Sequence, residues 1–218
     1  MSGTEIWSWG ALFALGAFHG INPGMGWLFA VALGMQEQRR GAVWGAMIPL
    51  GLGHALAVAL ALLVAVAAKT VVPDPYVRWP VALLLVALGI SRLVRHRHPR
   101  WASMRVDMKR LTAWSFLMAT AHGAGLMVLP IFLHMTATAQ TAGAAGHHVH
   151  AGTVAASGPF VGLLATLVHG AGYLIVTAVA AWIVYEKLGV GLLRRAWINI
   201  DLVWAGALIA TGLLTALM

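Results

Sequence analysis

The sequence predicts an all-α polytopic membrane protein, with six transmembrane helices arranged as two inverted three-helix repeats. Three observations predict it. Apolar residues make up 61% of the 218-residue chain and charged residues 9%, against about 45–50% and about 25% in an average soluble domain. Apolar stretches of the length that crosses a hydrocarbon core, about 20 residues at helical rise, recur six times. Histidines adjoining glycine fall at matching places in the two halves. A soluble globular class is excluded, because no core in a chain this short hides so much apolar surface from water, whereas a bilayer takes it up.

The elements follow in order. The N-terminal MSGTEIWSWGALF carries Glu5 and no Lys or Arg, so it lacks the positive n-region of a signal peptide and is expected to be retained as a helix. The spans are predicted at about 7–34, 41–67, 79–95, 111–135, 159–185 and 197–217, with longer loops at 96–110 and 136–158. All of 1–218 forms a single membrane domain, with repeat one at about 7–95 and repeat two at about 111–217. Span one (GAFHGINPGMGWLFAVALG) and span four (MATAHGAGLMVLPIFLHM) each carry a His-Gly pair near the middle. Spans two and five each carry a mid-span histidine beside glycine, and spans three and six share an apolar run with a late glycine. Three is odd, so the second copy is predicted to cross the membrane upside down relative to the first. Pro23 and Gly24 in span one and Pro130 in span four are the expected helix breaks, since proline frees carbonyls that only a partner, a cavity or water satisfies. Loop 136–158 is uncharged and rich in Ala, Gly and Thr, which predicts a flexible connection. Its His147, His148 and His150 form a short tract suited to gathering a late transition metal.

Charge sets the orientation. Loops one, three and five carry twelve of the fourteen Lys and Arg, from Arg39 and Arg40 through the run Arg92–Arg110 to Lys187, Arg194 and Arg195; Lys69 and Arg78 lie on the other side. By the positive-inside rule both termini face away from the cytoplasm, as expected for an integral protein of a bacterial cytoplasmic (inner) membrane. The rule accounts for the basic surplus, so no nucleic-acid partner is expected. The bilayer is the expected surrounding, with a homo-oligomer or a partner membrane subunit as further possibilities.

His19, His54, His122 and His169 each stand about 10 to 13 residues into their spans, near the midplane at helical rise. An imidazole there is costly unless it meets a cavity, a partner or a metal. Neutral imidazole is the commonest ligand of Ni, Co, Cu and Zn, and no carboxylate lies mid-span to serve Ca or Mg. Cysteine is absent, so any metal is held by nitrogen and thioether sulfur. Met25 and Met127, soon after the His-Gly pairs, are the candidate thioethers, against the alternative that they fill apolar core.

At FHGINPGMG followed by GLGHALAVA the chain resembles the NicO family of nickel and cobalt transporters, among the LysE-like six-span membrane carriers. The resemblance places the family's first motif on His19, Pro23, Gly24 and Gly26, and its second on Gly53 and His54. It implies transport of a transition-metal ion. Met25 stands where the family has a second histidine, which shifts the expected preference toward softer ions such as Cu(I). Two other readings compete: a membrane cytochrome with haem held by bis-histidine pairs, and a LysE-like exporter of a small organic solute. A structural subunit of a larger membrane complex is a fourth. No HExxH, GxSxG or mid-span Ser-His-Asp set occurs, so catalysis is not expected, and no P-loop suggests nucleotide-driven transport.

Overall fold

The computed structural model describes residues 3–69, 74–94, 107–145, 151–188 and 200–217. They form α1 (Gly3–Ile21), a 3-10 turn (Pro23–Met25), α2 (Trp27–Glu37), α3 (Arg40–Gly45), α4 (Met47–Lys69), α5 (Asp74–Val94), α6 (Met108–Ala121), α7 (Ala124–Ala145), α8 (Ala151–Ile183) with a closing π-helical turn (Val184–Leu188), and α9 (Ile200–Leu217). Among the described residues there is no strand. Arg40–Ala68 and Pro159–Lys187 are long and apolar enough to cross a membrane, and α6 with the first part of α7 reaches that length and apolarity only as a pair bent by 61°, the form of a broken span or a re-entrant loop. Ile6–Ile21, Trp79–Ser91 and Leu202–Leu217 are shorter apolar helices. Ile48, Leu52, Leu56, Leu60 and Leu63 form an exposed stripe along α4, and Phe160, Leu163 and Leu167 continue the same character on α8. An outward face of this kind suits lipid and not water.

Breaks interrupt spans one and four, but not both where proline predicts them. In span one the chain leaves α1 at Ile21, and the Asn22 side chain accepts from the Gly24 N–H at 2.9 Å. Gly26 then turns at φ 143°, a conformation that side chains rarely adopt. In span four the break is at the His-Gly pair itself: His122 caps α6 at φ −91°, ψ 2°, and Gly123 has φ 70°. Pro130 is not a break, because α7 runs through it. Proline's fixed φ is helical, and its cost is one missing N–H and a steric push that a membrane helix absorbs. Glycine with positive φ ends a helix outright.

The flexible loop expected at 136–158 is also corrected. Helix α7 continues to Ala145 and α8 begins at Ala151, as alanine's high helix propensity allows. His147, His148 and His150 lie outside the described residues.

Small residues set the helix pairing. Helix α1 runs alongside α8 in the same direction, with Gly16 and Gly20 against the backbone of His169, Tyr173 and Thr177, and Gly172 against Phe13 and Ala17. Helix α4 runs alongside α6 in the same direction, with Gly45, the last residue of α3, near Met108 and Gly53 against Thr112, Ser115 and Phe116. Helix α5 packs antiparallel to α9, where Gly89 meets Ala205 and Ile209, and Gly212 meets Ala82 and Val86. Helix α4 is antiparallel to α8, since Gly51 meets Leu174 and His54 meets His169. The seams bring glycine-lined backbones together, as close packing without a hydrophobic drive requires.

Candidate functional site

Three of the four histidines expected at the midplane meet. His19 comes from the last turn of α1, His54 from the middle of α4 and His169 from the middle of α8. Their ring centroids are 5.7 Å (His19 to His54), 5.1 Å (His19 to His169) and 5.2 Å (His54 to His169) apart. All three are fully buried.

The hydrogen bonds decide the tautomers. A carbonyl oxygen only accepts, so each ring nitrogen facing one carries the proton. His19 Nδ1–H donates to the Leu15 carbonyl at 2.8 Å, and His169 Nδ1–H donates across helices to the Leu12 carbonyl at 3.2 Å. The lone pair of each ring is therefore on Nε2, and both Nε2 atoms are buried without a hydrogen-bond partner. Neither nitrogen of His54 has a partner either. Most buried polar atoms in folded proteins are paired, and each exception needs a reason.

His122 stands apart. Its Nδ1–H donates to Met118, four residues back, at 2.9 Å, as His19 does to Leu15. The Trp204 indole of α9 packs against both rings, steeply angled to His19 at 4.6 Å and to His122 at 5.4 Å. It also stacks flat on Phe18 at 4.7 Å. The four-histidine expectation thus divides into a cluster of three and a separate fourth. Met127 belongs to the apolar cluster of Leu85, Trp204 and Leu208 on the His122 side, whereas Met25 is buried in the cluster that contains Tyr173.

The carbonyls freed at the breaks are met by aromatic donors that the sequence does not advertise. Trp27 Nε1–H donates to Ile21 at 2.9 Å, Trp114 Nε1–H to Gly24 at 3.1 Å, the Tyr173 hydroxyl to Met25 at 2.6 Å and Trp204 Nε1–H to His122 at 3.2 Å. Trp114, ninety residues along the chain, thus holds the turn of span one. Tyr173 also forms the floor of the cluster, its ring stacked on His54 at 3.9 Å and 8°. Its signal in the sequence is its place four residues after His169, one turn along the same face.

Glycines beside the histidines do different things. Gly20 and Gly53 are pressed against neighbouring backbone, and Gly123 makes the turn, but a Cβ at Gly170 would meet nothing within 4 Å.

Among the described residues no three His, Cys, Asp or Glu side chains stand ready to hold a metal ion. The reason is orientation: the His54 and His169 rings are nearly parallel, at 13°, so their in-plane lone pairs do not converge. Spacing is less of an obstacle. Three imidazoles around a tetrahedral ion at about 2 Å per bond have ring centroids roughly 5 Å apart, close to the spacings found. No family model, curated protein or solved structure matches the chain, so its function is argued from this geometry alone.

Proposed function

We propose that the chain transports a transition-metal ion, one of Ni, Co, Cu or Zn, across a bacterial cytoplasmic membrane, with His19, His54 and His169 as its midplane ligands. The carrying observation is the pair of unpartnered Nε2 lone pairs on His19 and His169, each ring oriented by an Nδ1–H bond to a backbone carbonyl. Metal-binding histidines are held in this way, with the second nitrogen fixing tautomer and direction. Binding requires His54 to turn about its side-chain torsions until its lone pair joins the other two. Met25 is the candidate thioether on this side of Trp204, and His122 with Met127 a second position across it.

Helix pairing supports the inverted-repeat reading. Exchanging α1 with α6 and α4 with α8 converts the α1·α8 seam into the α6·α4 seam and maps α5·α9 onto itself. The relative directions given above fit six alternating crossings. The expected cytoplasmic end is supported by contacts among loops one, three and five: Arg40 pairs with Glu186 at 2.8 Å, and Gly45 lies near Met108. A haem reading is disfavoured, because the imidazoles pack on one another, on Tyr173 and on Trp204, leaving no slot for a macrocycle.

The test is elemental analysis of protein purified without added metal, repeated on the His19→Ala/His169→Ala variant. Expected is about one ion per chain in the parent and loss in the variant, with metal flux into proteoliposomes lost in parallel. An organic-solute carrier predicts no metal in either protein, and that result would sink the proposal.

A further inference from the structure

The buried polar atoms without partners are unevenly placed. Among the described residues, those besides the three histidines are Asn22 Nδ2 and Thr177 Oγ1. Thr177 follows His169 and Tyr173 at two successive turns of α8, about 12 Å beyond the histidine at helical rise. The Tyr173 hydroxyl interacts with the Ser115 and Thr177 side chains, although Thr177 Oγ1 reaches no partner at hydrogen-bonding geometry. The turn carrying Asn22 closes over the same hydroxyl, which donates to its Met25 carbonyl. Helix α8 then continues to Glu186, which pairs with Arg40. In the opposite direction from His169, Thr166 bonds within its own helix to Gly162 at 2.9 Å, and Ala165, Phe132 and Leu129 follow as apolar core.

Water satisfies donors and acceptors alike, so buried polar groups left without a protein partner mark places that water can serve. Here one group is a donor only, the Asn22 amide nitrogen, and the other is a hydroxyl. Beyond them, Val43, Leu50, Leu111, Ala181 and Val184 form an apolar cap at the Arg40 end. Resting on the transport reading above, we propose that Asn22, Ser115, Tyr173 and Thr177 line a hydrated leg of the path, through which a water-carrying cation passes between the histidine cluster and the Arg40–Glu186 end. Parting of the apolar cap wets it. The 22–26 turn is the element that shifts, since it joins the two halves of span one by short 3-10 bonds (Met25 N–H to Asn22, Gly26 N–H to Pro23) in place of a continuous α-helical ladder.

The natural chain has no cysteine, so a single Thr177→Cys variant gives an unambiguous readout. In oriented membrane vesicles, a thiol-reactive quaternary ammonium reagent is expected to modify that variant from the Arg40 face only. Absence of labelling from that face, or labelling only from the opposite face, overturns the inference. Thr177→Val is expected to bind metal like the parent but to lower flux at least about tenfold, with Thr177→Ser restoring it; flux equal to the parent also overturns it. The two readings fail separately. Labelling from the Arg40 face in a protein that binds no metal supports the wet leg and removes the metal, whereas metal binding without labelling removes the leg alone.

Discussion

Replacing His54 by leucine is expected to make the metal-free protein more stable while abolishing its response to metal. His54 is fully buried, and neither ring nitrogen has a partner. An unsatisfied buried polar group costs about 1–3 kcal/mol, so removing two relieves roughly 2–6 kcal/mol. Against this stand the lost face-to-face contact with Tyr173 at 3.9 Å, worth about 0.5–1.5 kcal/mol, and a repacking cost of up to about 1.5 kcal/mol for a side chain of similar volume. The balance centres on a gain of about 2 kcal/mol, or an apparent Tm about 4–8 °C higher for a chain of this size. Added metal at a hundred times its Kd stabilises the parent by about 2.7 kcal/mol and leaves the variant unmoved. The assay is thermal unfolding in detergent, with chelator and with each candidate metal. A His54→Leu protein that melts below the parent in chelator would refute the reasoning, because it would mean that the imidazole contributes net stability without cargo.

Three further outcomes follow from the same contacts. Gly16→Ala places a methyl group into the His169 carbonyl and should destabilise by about 1–3 kcal/mol, whereas Gly170→Ala meets open space and should be neutral or stabilising by up to about 1 kcal/mol; parallel melting curves check the contrast. Gly123→Ala forces a side chain to φ 70° and should cost about 1–2 kcal/mol, more than Pro130→Ala, which sits within a continuous helix; the reverse order would restore Pro130 as the break. His122→Ala should leave metal affinity within about threefold in the parent and cost at least about tenfold once Trp204→Val has removed the indole packed against both rings, as titration of the four proteins in a double-mutant cycle measures.

Some of this was legible in the sequence for clear physical reasons. Apolar run length follows from bilayer thickness, so the helix positions come through within a few residues for α4, α5 and α9. Where each histidine stands along its helix follows from helical rise. What each ring touches does not follow from depth, because rotation about the helix axis is set by packing partners. The meeting of His19, His54 and His169 depends on seams at Gly16, Gly20 and Gly172 that a list of 25 glycines does not single out. The uncharged 136–158 segment misled because Ala and Thr serve both linkers and helices, and only neighbouring context decides between them.

The separation of His122 has a source in the second half of the chain. Aligning His54 with His169 puts Val58 opposite Tyr173, and aligning Gly89 with Gly212 puts Val81 opposite Trp204. On the proposed repeat reading, both large rings around the cluster come from the second half, and both counterparts in the first are valine. Two indoles and two phenols related by an internal two-fold would compete for the same central volume, where Trp204 already touches His19, His122 and Phe18. With one of each, the centre is filled once. The cost is symmetry: His19 keeps its contacts with His54 and His169, while His122 packs against the indole. A carrier with identical halves offers its cargo equivalent routes to both faces. Here the rings bias the ligands to one side of Trp204 and the unpartnered polar atoms to one end of α8. Direction of transport, on this reading, is written in the residues by which the two halves differ and not in the histidines they share.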